Sequence, residues 1–413
     1  MATVKPFRAV RPGEGYAERV AALPYDVMNR QEAVCMASGN PYSFLHVSRA
    51  EIDVPSQVDQ YSAEVYEKGK ENLAAFISKG VMVREPKPVF YVYRQVMGGR
   101  AQTGIVGCVA VDEYEDGTIK KHELTRVEKE VDRINHFDVC NANTEPVFLT
   151  YREDKRIKSL TEGFIANHEA EYDFTLADGV RHVLWRIADD NVIGSISNLF
   201  REIPSLYIAD GHHRSASAYK VGVKRRGQNP GYDGSEEFNF FMAVVFPDTD
   251  LKIYDYNRAV KDLNGNTAEG FIGKIRDIGL TVEEKGKEAY APERKHVFGM
   301  FLDGSWYKLS VPEQLIPDDV IESLDVSLLQ DKILGPLLGI KDPRTDKRID
   351  FIGGIRGLSE LEKRVGSDMK VAFAVHPVDI GDLLKVSDNG KIMPPKSTWF
   401  EPKLASGLFL HEL

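Results

Sequence analysis

The short apolar run at residues 205–209 (SLYIA) meets Asp210-Gly211 and passes at once into residues 212–221, which favour a helix. A strand, a two-residue turn and a helix in that order bring the unpaired first amides of the helix to one point, with the positive end of its dipole. Gly211 permits the tight turn, and Ala216 and Ala218 keep the helix slim enough to pack closely. Such a helix start accepts an anion. Arg214 can add a bidentate fork to phosphate oxygens. His212 and His213 supply donors or a proton carrier, and Asp210 and Ser215 flank the turn. The same pattern also fits a plain turn whose histidines satisfy neighbouring carbonyls, because strand-turn-helix junctions are common.

Elsewhere short β-branched and aromatic runs alternate with helical stretches, so the class is mixed α and β. Residues 62–79 read as an amphipathic helix with Val65, Tyr66, Leu73, Phe76 and Ile77 for one face, ending at Gly80. Residues 89–96 and 102–114, joined across Gly98-Gly99, read as a hairpin. Further strands are predicted at 146–151, 182–187, 238–246, 251–256, 296–302, 306–311 and 371–375, and helices at 267–278 and 326–338. At roughly 150 residues per domain, 413 residues imply two or three domains. The predicted segments are an N-terminal α/β stretch (1–85), a β-rich stretch with a charged helix (86–200), the Asp-Gly-His-His-Arg core (201–312) and a C-terminal α/β stretch (313–413), with soft boundaries that also allow one or two compact domains.

Composition excludes several classes. A net charge of −10 argues against a general nucleic-acid binder or a protein held on acidic membranes. No apolar run approaches the ~18 residues of a membrane helix, and the N-terminal stretch lacks the apolar core of a signal peptide. Cys35, Cys108 and Cys140 are widely spaced and odd in number, which fits reduced thiols in a cytoplasm and no disulfide scaffold. The chain carries no GxxxxGK[ST] loop, no GxGxxG, no GxSxG and no HRD or DFG signature.

Three further clusters could carry chemistry. His122-Glu123-Leu124-Thr125-Arg126, with Glu128, Glu130, Asp132 and Arg133, mixes acids, bases and a histidine that could hold a metal-bound phosphate or accept a proton. A charge-dense, solvated helix face explains the same residues. It is not HExxH, because position 126 is arginine. In Leu23-Pro24-Tyr25-Asp26-Val27, Asp26 could cap a helix or serve a site. Lys396, Ser397 and Thr398 follow paired prolines in a polar loop that could touch phosphate or form an ordered tail.

Taken in order, KPFRAVRP, LPYDV, KHELTRVEKEVDR, NANTEPVFLTY, ADGHHRSASAY, YNRAV and MPPKSTWFEPKLASGL closely resemble the prokaryotic family filed as domain of unknown function 1015. The Asp-Gly-His-His-Arg turn is in addition similar to the phosphate-binding box of the ParB and sulfiredoxin superfamily, which includes nucleotide-dependent free-serine kinases. That resemblance implies an α+β fold of mixed sheets, with a ParB/sulfiredoxin-like phosphate-binding core and added α/β elaborations. It implies a cytoplasmic phosphotransferase that interconverts serine and phosphoserine with Mg²⁺ and a nucleoside di- or triphosphate. Asp210, Gly211, His212, His213, Arg214 and Ser215 would then bind phosphate. Glu123, Asp26, His212 and His213 would be catalytic, and Tyr25, His122, Thr125, Arg133, Lys396, Ser397 and Thr398 would contact substrate. Glu130 and Asp132 would hold the metal. A phosphoserine phosphatase using His212 or His213, or a nucleotide-gated regulator without catalysis, are the alternatives.

Overall fold

The computed structural model describes residues 1–413, which form two compact units: residues 1–251 with 402–413, and residues 252–401. The first unit is therefore discontinuous, because the C-terminal segment returns to it. Its strand His411–Glu412 pairs antiparallel with Ala142–Asn143.

The first unit is built on a nine-stranded mixed sheet. Its order runs Ile119–Lys120, Leu206–Asp210, Val147–Tyr151, Phe240–Pro247, Arg100–Ala110, Phe90–Met97, Arg181–Ile187 and Tyr172–Thr175, with Val4–Lys5 added against Arg100–Ala110. Leu206–Asp210 runs parallel to Ile119–Lys120 and antiparallel to Val147–Tyr151, and Phe240–Pro247 runs parallel to Val147–Tyr151. The hairpin forms as its Gly-Gly predicts: both Gly98 (φ 58°) and Gly99 (φ 79°) take the left-handed conformation of a tight primed turn. Positions 85 and 200 fall inside this unit and 312 inside the other. Residues on both sides of 85 share the sheet (Val4 with Val109), as do residues on both sides of 200 (Val147 with Ala243). The chain thus divides into two units rather than at those three positions.

Three helices stack on one flank: Ala63–Ser78 packs on Val127–Cys140, which packs on His212–Gln228. Ala63–Ser78 buries Val65, Tyr66, Leu73 and Phe76, close to the predicted face. His212–Gln228 buries Ala216, Ala218 and Val221 in the main core with Phe241, Val245 and Leu149. Gly222 allows its close approach, since a Cβ there would stand 2.7 Å from the Phe238 carbonyl oxygen. The charged block that begins at His122 turns helical only at Val127.

The second unit has a six-stranded antiparallel sheet in the order Thr281–Gly286, Ser305–Ser310, Val297–Leu302, Val371–Val375, Tyr256–Val260 and Ile349–Gly353. Two local expectations change here. Residues 251–256 do not form one strand; Ile253–Tyr254 and Tyr256–Val260 join different sheets. The helix predicted at 326–338 is α-helical only over Asp325–Leu329 and widens into a π turn over Gln330–Leu334, closed by Gly335 N–H to the Gln330 carbonyl at 2.8 Å. Pro336 has no N–H to continue the ladder. No helix of the chain is long and apolar enough to cross a membrane.

Candidate functional site

The strand Leu206–Asp210 delivers the chain to Gly211, whose φ of 98° is open to glycine and strained for other residues. Gly211 caps the helix His212–Gln228, and the first intrahelical bond runs from Ser215 N–H to its carbonyl at 2.9 Å. The amides of residues 212–214 therefore lie ahead of the helical ladder, at the positive end of the dipole.

Arg214 does something other than reach outward. It is 2% exposed, and its guanidinium donates to the Pro146 carbonyl and to Asp210 Oδ2 at 2.9 Å. The expected fork to phosphate is thus turned onto the protein, where it locks the turn to the neighbouring strand. Burial works against its charge, but Asp210, Asp26 and Glu145 more than offset this and hold the guanidinium ionised. Asp210 also has Lys403 at 3.5 Å. Burial opposes its ionisation, yet Lys403, Arg214 and His212 bring the carboxyl down to about 2.

The two histidines are held as neutral acceptors. The backbone N–H of His122 donates to Nε2 of His212 at 3.4 Å, and that of Arg126 donates to Nε2 of His213 at 3.0 Å. Nδ1 of His212 faces Glu123 Oε2 at 3.8 Å, and the His122 ring stands edge-on to His212 with centroids 4.5 Å apart. Burial lowers all three histidines, His122 to about 4, and the nearby His122 ring lowers His212 as well. His122, Glu123 and Arg126 thus reach the turn through the loop before the helix Val127–Cys140, not from a helix face, while the Thr125 hydroxyl turns to Glu130 instead.

Tyr25 and Asp26 enter from the single helical turn Tyr25–Val27. Asp26 is exposed, and its charge is felt by both Arg214 and His213. Arg133 lies over the Tyr25 ring at 3.9 Å and Arg49 donates to the Tyr25 carbonyl at 2.8 Å.

Glu130 and Asp132 do not fit the metal-ligand role expected of them. Glu130 is paired with Lys220 and accepts from Thr125; Asp132 is paired with Arg133 at 2.9 Å and accepts from the Tyr66 hydroxyl at 3.0 Å. Two residues apart on one helix, they diverge by about 200° around its axis, and no group of three or more His, Cys, Asp or Glu side chains is arranged to hold a metal ion. Lys396, Ser397 and Thr398 belong to the second unit, where Ser397 Oγ donates to the Pro394 carbonyl at 2.6 Å and Lys396 Nζ lies 5.4 Å from the Tyr256 ring centre.

Three participants escape a residue-by-residue reading of the sequence. Glu145 is 1% exposed and accepts through Oε1 from the Tyr25 N–H at 3.1 Å and the Ser406 hydroxyl at 2.8 Å. Lys403 and Ser406 arrive from the returning C-terminal segment. Glu145 directly precedes Pro146 and a strand buried at every position; an acid at the mouth of such a strand was its one sequence signal.

A family model described as protein of unknown function (DUF1015) matches residues 4–327. The chain belongs to the DUF1015 family. The ordered blocks that carry the resemblance supply the residues of the candidate site in this DUF1015 protein: Tyr25, His122 to Arg133, Glu145, Asp210 to Arg214, and Lys403 with Ser406. A comparison with curated proteins finds no match. Among solved structures, the DUF1015 chain is similar to a free serine kinase in complex with AMP, at 14% identity and a TM-score of 0.37 over 73% of this chain and 92% of the other. It is similar to SbnI with C-terminal truncation from Staphylococcus aureus, at 9% identity and a TM-score of 0.39 over 73% and 85%. A conserved hypothetical protein from Pyrococcus furiosus aligns at 15% identity and a TM-score of 0.34 over 73% and 95%.

Proposed function

We propose that this protein is a phosphoryl-transfer enzyme acting on a small hydroxy metabolite, with serine as substrate and a nucleoside phosphate as donor or acceptor. The observation that carries the reading is the start of the helix His212–Gln228. Unladdered amides, a left-handed glycine and two neutral histidines meet there beside an exposed carboxylate, Asp26. Phosphoryl transfer asks a protein mainly for positioning and charge stabilisation. The amides of His212, His213 and Arg214 would hold the transferring phosphate, and Arg214 would act by fixing the turn. Asp26 would take the proton as the substrate hydroxyl oxygen bonds to phosphorus and the bond to the nucleotide leaving group breaks. Glu123, beside His212 Nδ1, would keep that imidazole oriented. Magnesium has no protein ligands in this reading.

A phosphatase with a histidine nucleophile is less well supported, because Nε2 of His212 and of His213 already accepts a backbone N–H. The test is to incubate the protein with serine, each common nucleotide and Mg²⁺, and to follow phosphoserine by mass. Phosphoserine formation, or nucleoside triphosphate formation from phosphoserine and a diphosphate, supports the reading. Phosphate release from phosphoserine without nucleotide favours the phosphatase, and nucleotide binding without turnover favours a regulator.

A further inference from the structure

Beside the helix start lie an acid and a base that the protein itself leaves half used. Glu145 spends Oε1 on the Tyr25 N–H and Ser406, while its Oε2 is shut from solvent with no partner. Arg133, 4% exposed, spends Nε and Nη2 on Asp132, which Tyr66 holds in turn; its Nη1 is likewise buried without a partner. Buried polar atoms are nearly always satisfied, so each exception needs a reason. Here the exceptions are one acid and one base in the same cluster, each rigidly oriented by its other half, and they form no ion pair with each other. Side chains fixed through one half with the other left over are the pattern of a preorganised binding site.

We propose that Glu145 and Arg133 recognise the two charges of an α-amino acid, the ammonium at Glu145 Oε2 and the carboxylate at Arg133 Nη1. Tyr25 links the pair, since its N–H holds Glu145 and its ring supports the Arg133 guanidinium. The next residue is Asp26, the proton acceptor proposed above. Asp26 lies near enough for its charge to be felt at Glu145, so a zwitterion held there would carry a side-chain hydroxyl in the neighbourhood of that carboxylate. The inference rests on the phosphoryl-transfer reading for what happens to the hydroxyl, but recognition of the zwitterion is separable from it.

The experiment is calorimetric titration of the full chain, without nucleotide, with L-serine, glycerate (which lacks the ammonium) and ethanolamine (which lacks the carboxylate). Wild type is expected to bind serine at least tenfold more tightly than either analogue. Glu145→Gln, nearly isosteric and checked for an unchanged circular dichroism spectrum, should lose at least tenfold for serine and little for glycerate. Equal affinity of wild type for serine and glycerate, serine binding by the variant like that of wild type, or no serine binding at all overturns the proposal. Selective serine binding without turnover would remove the phosphoryl-transfer reading and leave this one standing. Turnover of a hydroxy acid that has no ammonium would do the reverse.

Discussion

The backbone N–H of Arg126 points at Nε2 of His213 across 3.0 Å, so one loop of the charged block is latched to the first turn of the site helix. The bond fixes the tautomer: Nε2 accepts and the ring proton sits on Nδ1. With His122 and His212 also buried and lowered, three histidines enter the fold neutral. Between about pH 4, where His122 protonates in the folded chain, and about 6.5, where an unperturbed histidine does, the unfolded chain binds more protons. Stability therefore rises with pH across that window and falls on acidification, by up to about 1.4 kcal/mol per pH unit for His122, and His212 and His213 act in the same direction. Urea denaturation at pH 5 and pH 7 should show the loss, and His122→Asn should reduce it. Equal midpoints at the two pH values would contradict neutral burial.

His46 carries the opposite sign. Its Nδ1 lies 2.9 Å from Asp53 and its Nε2 3.2 Å from the Asn40 carbonyl oxygen, so both nitrogens donate in the protonated ring. The hydrogen bond to Asp53 raises it, although burial works the other way. Its contribution is complete below about pH 6.5 and is lost as pH rises through the higher folded value. The pair is partly exposed, so the loss is on the order of 0.5 kcal/mol. Proton NMR of the imidazole should place its titration above that of an unstructured histidine; a midpoint below would refute the doubly donating ring.

Arg214→Ala should unfold the corner rather than merely weaken a ligand. It removes one partner of Asp210 and the donor to Pro146; breaking a buried pair typically costs about 3–5 kcal/mol, and Lys403, which stays beside Asp210, holds the loss to the lower end. Thermal melting without ligand reads this directly. A variant as stable as wild type would mean that the guanidinium is not structural.

Gly211→Ala tests the turn. The new Cβ would combine a φ of 98° with contacts of 3.0–3.1 Å to the Arg214 guanidinium. A residue forced into the left-handed region costs roughly 1–2 kcal/mol, and displacement of Arg214 adds to it. A melting temperature within a degree of wild type would show that the corner yields easily.

Much of the first unit can be read locally. Gly98-Gly99 announces its hairpin, Gly80 ends a helix whose apolar positions repeat correctly, and Asp210-Gly211 marks a strand-to-helix corner. These features depend on neighbours in sequence. The site does not. Ser406 reaches Glu145 across 261 positions, and Lys403 reaches Asp210 only because the C-terminal segment folds back onto the first unit. Chemistry also misdirects where partners are unknown. Glu130 and Asp132 look like free carboxylates in sequence, yet Lys220 and Arg133 claim them. Arg214 looks like a phosphate fork until Pro146 and Asp210 are seen to occupy it.

The central claim is that a tetrahedral anion sits on the amides that open the helix His212–Gln228. Amide chemical-shift mapping of the isotope-labelled chain with ADP tests it most directly. The account predicts that the largest shifts fall on Gly211, His212, His213 and Arg214. Saturable shifts confined to other residues, with these four amides unmoved, would contradict it.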